Sequence, residues 1–320
     1  MHRRAYVVAE PRSGEFHRSG APSDCVGSLD DPDGPSRLGQ SDGGCETVGS
    51  GADYDGIELC HGILIVTRIS WGHILVGGPV RSRQVGGDLT LYLPGDPIPG
   101  YLAMPADIGP WPGVVVLHQA FGLDDDIRRI TDRLAGIGYL AVAPDLLAGG
   151  GLRCLVRLFL DVQRGQGHSV DTVRDVVDWI SGRSDCNGRV GVIGFCVGGG
   201  LAFLIGLTGS VDAIAPNYGK TPKAERLARS CPVVASYGRK DRVFARAAER
   251  AESGLTSAGV DHDVKVYDVA GHGFMNQVEG HRLMRTLTRP VMAVDYNRDA
   301  AEDAWTRIEA FFARHLAGIG

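Results

Sequence analysis

The chain has 320 residues, of which 43% are hydrophobic and 22% charged, and its formal net charge is -5. That length admits one large α/β domain or two smaller ones, and the mild charge gives no electrostatic case for nucleic acid or an anionic membrane surface. The seven cysteines, Cys25, Cys45, Cys60, Cys154, Cys186, Cys196 and Cys231, are scattered. They form no CxxC pair and no Cys/His cluster of zinc spacing, a pattern of reduced thiols without a metal site.

No apolar run of signal-peptide length follows Met1, and the apolar segment from Gly62 to Gly77 is broken by Arg68 and His73. It falls short of the roughly 18 clean residues expected of a membrane helix, so the reading places the protein in the cytoplasm. Residues 1–86 read as an N-terminal extension: the first fifty or so are rich in Gly, Pro and Ser with no hydrophobic period, as in segments that cannot offset their ordering entropy. "GILIV" and "GHILVGG" in this stretch could be strands, and the extension is expected to be either disordered or upstream of the true start.

From Gly87 to Gly320 the sequence reads as a single α/β domain, in which short β-type runs alternate with helical patterns. "DLTLYLP" and "IPGYLAMP" suggest a hairpin. "PGVVVLH", from Pro112 to His118, is a continuous apolar run suited to a strand buried on both faces. Asp124, Asp125 and Asp126 offer an N-cap and an acidic first turn to a helix carrying Ile127, Ile130, Leu134 and Ile137. The strand "YLAVAPD", a helix through Val173, Val176, Val177 and Ile180, and the strand "RVGVIG" follow. Beyond lie "VDAIAPNYG", "CPVVASYG", a helix over about 245–258, the strand "HDVKVYD" and a last amphipathic helix with Trp305, Ile308 and Phe312.

The segment Gly191 to Gly200, "GVIGFCVGGG", carries the chemistry. A nucleophile on a tight strand-to-helix turn needs small residues two places before and after it, and Gly194 and Gly198 flank Cys196 in this way. The turn points a helix N-terminus at the thiol, favouring a thiolate and, later, an oxyanion. A free thiol with a pKa near 8.5 is only a few per cent thiolate at neutral pH, so a base is required. Asp241 in "YGRKDRVF" and His272 in "VYDVAGHGF" each follow an expected strand, in the order nucleophile, acid, histidine. Taken singly, Cys196 could be an inert buried thiol, Asp241 a loop charge and His272 a loop histidine; their joint order and placement favour a Cys-Asp-His triad.

These residues resemble those of the dienelactone hydrolase (carboxymethylenebutenolidase) family over most of residues 90–317, through "VVVLHQAFGL", "YLAVAPDLL", "RVGVIGFCVGGG", "YGRKDRVF" and "AGHGF". The resemblance implies an α/β-hydrolase fold, a mainly parallel central sheet with helices on both faces. It also implies triad roles for Cys196, Asp241 and His272 and an oxyanion hole from the backbone N–H groups of Val197 and Ala120. Two positions depart from the family pattern: Gln119 stands where relatives carry a glutamate that helps activate the thiol, and Asn276 where dienelactone-cleaving members place a carboxylate-binding arginine. A second family arginine would fall after Asp145, where Arg153, Arg157 and Arg164 compete. The expected activity is hydrolysis of a small ester or lactone with no metal or organic cofactor, by a monomer or small homo-oligomer. The alternative is a catalytically weakened α/β-hydrolase-fold protein that binds a small ligand or partner.

Overall fold

The computed structural model describes residues 8–9, 57–60, 63–66, 85–148, 150–244, 246–277 and 292–317. Most of the expected 1–86 extension, "GHILVGG" included, lies outside the described residues. The chain divides into two units, Met1–Glu10 with Ser82–Gly320, and Pro11–Arg81. In the second, β2 (Ile57–Cys60) and β3 (Ile63–Val66) pair antiparallel.

The first unit holds β1 (Val8–Ala9), β4 (Val85–Leu91), β5 (Ile98–Met104), β6 (Trp111–Leu117), α1 (Asp125–Gly136), β7 (Leu140–Pro144), α2 (Gly151–Arg164) and α3 (His168–Ser181). It continues with β8 (Cys186–Phe195), α4 (Val197–Gly206), β9 (Ala213–Asn217), α5 (Ala224–Leu227), β10 (Val233–Gly238), α6 (Ala247–Ala258), β11 (His262–Tyr267) and a last helix, Arg298–Leu316, here α7. The nine strands form one sheet in the order β1-β4-β5-β7-β6-β8-β9-β10-β11. From β7 to β11 in that order the strands run parallel, while β1, β4 and β5 pair antiparallel at one edge.

The apolar runs read as central strands because both sheet faces are covered. Val115 and Leu117 of β6 and Val190 and Val192 of β8 pack in one core with α2 to α6. Val114 and Val116, with Ile193 and Phe195, pack on the other face against Ile127 and Leu134 of α1 and Trp305, Ile308 and Phe312 of α7. Alternate side chains thus enter opposite cores, and full burial of a Val, Leu, Ile or Phe side chain is worth about 1.5–3 kcal/mol before entropy. Asp124 caps α1, its carboxylate accepting from the Ile127 N–H at 2.9 Å.

The sequence reading contains no counterpart of α2. Its N-cap is Gly150, which supplies no side-chain cap, and only Leu158, Asp161 and Val162 are buried, while Leu152, Val156, Phe159 and Leu160 face outward. Asp161 is tied to the next helix, accepting the Ser169 N–H at 2.9 Å. Among the described residues no helix is long and apolar enough to cross a membrane.

Candidate active site

Cys196, Asp241 and His272 each stand just past the C-terminal end of a parallel strand, where open α/β sheets present their functional groups. β8 passes directly into α4 through Cys196, which has φ 56° and ψ -115°. A non-glycine residue held at positive φ is strained, and this one is fixed from both sides: its N–H donates to the Asn217 carbonyl at 3.1 Å, and its own carbonyl accepts from Gly200 at 3.2 Å. The flanking glycines are sterically required. A Cβ on Gly194 would lie 2.1 Å from the Gly198 carbonyl oxygen, and one on Gly198 would lie 2.4 Å and 2.6 Å from those of Leu117 and His118. All ten residues of α4 are buried, so the helix is held rigidly behind the thiol.

Asp241 and His272 are brought together from loops after β10 and β11. His272 Nδ1 lies 2.7 Å from Asp241 Oδ2, and both residues are buried. Asp241 Oδ1 accepts from the N–H groups of Val243 at 3.1 Å and Phe244 at 3.3 Å, so both carboxylate oxygens are engaged. The imidazole is stacked on Phe244 at 5.4 Å and meets the Tyr218 ring edge-on at 5.2 Å. Burial opposes a charge on His272, but electrostatic attraction to Cys196, the hydrogen-bonding influence of Asp241 and Cys196, and attraction to Asp241 outweigh burial and push its pKa up to about 10. Its Nε2 is buried without a well-formed hydrogen bond among the described residues, although Cys196 is near enough to interact with it electrostatically.

The N–H of Val197 opens α4, and that of Ala120 lies in the loop after β6. Among the described residues neither donates to another group. The preceding loop residue, Gln119, is 5% exposed and its amide nitrogen has no hydrogen-bond partner there. Burial raises the Asp124 pKa, and the Gln119 side chain beside that carboxylate opposes the rise while falling short of hydrogen-bond geometry.

Asn276 does not present a free amide. Its Nδ2 donates to Asp126 Oδ2 at 2.6 Å, and its Oδ1 accepts from the Tyr218 hydroxyl. Asp126 Oδ1 also accepts from Arg129 at 2.6 Å and from the Gln277 N–H at 3.1 Å. A buried network therefore occupies the position four residues after His272. Of the competing arginines, Arg157 reaches Cys154 Sγ at 3.4 Å, and all three are carried by α2.

Sequence reasoning gave no role at the site to His118, Asp126 or Tyr218, although it placed His118 at a strand end and Asp126 in the first turn of a helix. His118, at the end of β6, is fully buried, with Nδ1 2.6 Å from the Gln119 carbonyl oxygen and Nε2 3.0 Å from the Leu146 N–H. Tyr218 follows β9 with φ 41° and is fully buried. No periodicity marks any of the three as part of the site; only their place just past a strand or at a helix start is legible.

The other described thiols lie elsewhere and are free. Burial pushes Cys231 up to about 12 and raises Cys186, leaving both as inert apolar groups. A cavity of about 250 Å³ lined by Lys265, Tyr267, Asp299 and Asp303 lies between β11 and α7 and contains neither the thiol nor the histidine.

A cysteine on a strand-to-helix turn, at the carboxyl edge of a mainly parallel sheet with helices on both faces, defines an α/β-hydrolase fold. Within that class the chain belongs to the dienelactone hydrolase family, whose model matches residues 98–316. It is 27% identical over 287 residues, 79% of this chain and 92% of the other, to a Methylorubrum extorquens protein provisionally named a carboxymethylenebutenolidase. A Salmonella typhimurium protein of the same provisional name is 30% identical over 246 residues, covering 69% of this chain and 84% of that one. The crystal structure of a provisionally named dienelactone hydrolase from Klebsiella pneumoniae superposes with a TM-score of 0.59 at 25% identity, covering 72% of this chain and 99% of that one.

Proposed function

We propose that the chain hydrolyses a small ester or lactone with Cys196 as nucleophile, His272 as acid and base, and Asp241 as the group that orients and supports His272. The observation that carries this reading is the buried 2.7 Å contact between His272 and Asp241, with Cys196 as the other electrostatic partner of the imidazole. The proton of Cys196 passes to His272. The thiolate attacks the substrate carbonyl, forming the S–C bond, and the oxyanion is received by the N–H groups of Val197 and Ala120. On collapse the C–O bond breaks and the imidazolium returns its proton to the departing alkoxide. Neutral His272 then takes a proton from water, whose oxygen attacks the thioester and frees the acid and the thiol.

The relatives' names point to a lactone as one substrate form, and the engaged Asn276 amide supports a site that does not depend on a charged anchor at that position. The proposal keeps the protein in the cytoplasm as a monomer or small homo-oligomer acting on a small molecule. Its test is turnover of a panel of lactones and activated aryl esters by the wild type, Cys196→Ala and His272→Ala. Both variants should lose at least about 10³-fold in kcat. Equal turnover by all three would refute the triad, and binding of lactones without any turnover would favour the weakened-binder reading.

A further inference from the structure

We propose that His118 is a positioning residue for the oxyanion hole: its Nδ1–H holds the Gln119 carbonyl and so aims the N–H of Ala120 at the oxyanion that forms when Cys196 attacks the substrate carbonyl. The inference rests on the reading of Cys196 as a nucleophile that generates an oxyanion.

The Leu146 N–H donates to Nε2 at 3.0 Å, so Nε2 is an acceptor and the ring hydrogen resides on Nδ1, which donates to the Gln119 oxygen at 2.6 Å. A trans peptide points its C=O and the next residue's N–H in opposite directions across one plane. Fixing the Gln119 C=O therefore fixes the Ala120 N–H. The direction follows from the sheet: β6 lies between β7 and β8, and His118 reaches Leu146 just beyond the end of β7. By this inference the Ala120 N–H is turned the other way, toward β8 and Cys196. The closeness of α4 to the loop is set by Gly198, whose missing Cβ leaves room for the Leu117 and His118 carbonyls.

The arrangement needs a neutral ring, since a second ring hydrogen on Nε2 would oppose the Leu146 N–H. Burial lowers the His118 pKa and keeps it neutral, against the opposing pull of the carboxylates that face it, Asp145 after β7 at 3.8 Å and Asp124 before α1. Leu146 and the Gln119 carbonyl complete its polar surroundings.

The test uses two probes of the same thiol. Iodoacetamide alkylates Cys196 without forming an oxyanion, whereas an alkyl trifluoromethyl ketone adds to the thiolate as a hemithioketal whose oxygen must sit in the hole. Alkylation is read on the Cys196 peptide by mass spectrometry, and ketone affinity by 19F NMR. In His118→Phe the ketone affinity should fall on the order of 10²-fold while the alkylation rate stays within about threefold. His118→Asn, which can still donate to the Gln119 carbonyl, should recover most of the ketone affinity. Parallel loss of both reactions, or no loss of either, overturns the proposal. Should His118→Phe fail to fold, the wild type decides: the Ala120 amide proton must move downfield on ketone addition, and an unmoved signal overturns it. A wild type that is alkylated at Cys196 but does not add the ketone has no such hole, and the His118 assignment falls. A wild type that adds the ketone yet hydrolyses no ester or lactone sinks the proposed function and leaves the role of His118 standing.

Discussion

Exchanging Asp241 for asparagine replaces one oxygen by an NH2 group and tests the pairing with His272 directly. Oδ1 of Asp241 receives two backbone N–H groups, from Val243 and Phe244, while Oδ2 faces His272 Nδ1 at 2.7 Å. In Asp241→Asn the amide oxygen must stay with the two backbone donors, because the opposite orientation would set N–H against N–H. The NH2 group then faces His272 and donates to Nδ1. That forces the ring hydrogen onto Nε2, toward Cys196, in the tautomer that cannot accept the thiol proton. With Asp241 1% exposed, no solvent is placed to restore the lost acceptor. The expected loss is about 10³ to 10⁴ in kcat, or about 4–5.5 kcal/mol of transition-state stabilisation, with little change in KM. Steady-state kinetics on an activated aryl ester measure it, with circular dichroism and a melting curve to establish that the variant is folded. A folded Asp241→Asn enzyme with kcat within about tenfold of wild type would refute the reasoning.

The raised pKa of His272 has a signed consequence for stability. With a folded value of about 10 against an ordinary 6.5, the stabilisation from this proton is fully present below about pH 6.5 and lost as pH rises through 10. Cys196→Ala removes the leading cause of the rise while burial remains, so His272 should titrate at lower pH, as followed by its imidazole NMR signal; an unchanged midpoint would contradict the assignment. Gly198→Ala forces a Cβ to within 2.4 Å of the Leu117 carbonyl oxygen, which must displace the loop carrying His118 to Ala120. Overpacking of this kind should reduce unfolding free energy by about 1–3 kcal/mol in denaturant titration, and a variant of wild-type stability would show that the elbow has slack. Asn276→Ala strips a partner from the buried Asp126 carboxylate and from the Tyr218 hydroxyl, for an expected loss of about 1–3 kcal/mol in the same assay. A neutral result would mean that this network contributes nothing net.

The central strands were legible because a sheet covered on both faces leaves an unbroken apolar run, as in β6, and α1 announced itself through the Asp124 cap. Helix α2 was not legible for the converse reason. It starts at glycines that read as loop, has no capping side chain and turns Leu152, Val156, Phe159 and Leu160 outward, so its apolar residues do not report a core. The elbow and the two loops behind it could be found because their residue types follow strands in a fixed order. The supports of the site were hidden, since they depend on approaches between distant segments: Asp126 meets Asn276 across 150 positions, and His118 meets Leu146 across 28. The family resemblance could show that Asn276 stands where relatives carry an arginine, but not that its amide is engaged at both ends.

The central claim is that Cys196 takes the acyl group. The most direct measurement is rapid acid quenching of the enzyme during turnover of an activated acetyl ester, followed by peptide mass spectrometry. The account predicts an acetyl group on the peptide containing Cys196, formed at the rate of the initial burst and absent from Cys196→Ala. Turnover without any acyl adduct on Cys196, sustained in Cys196→Ala, would contradict it.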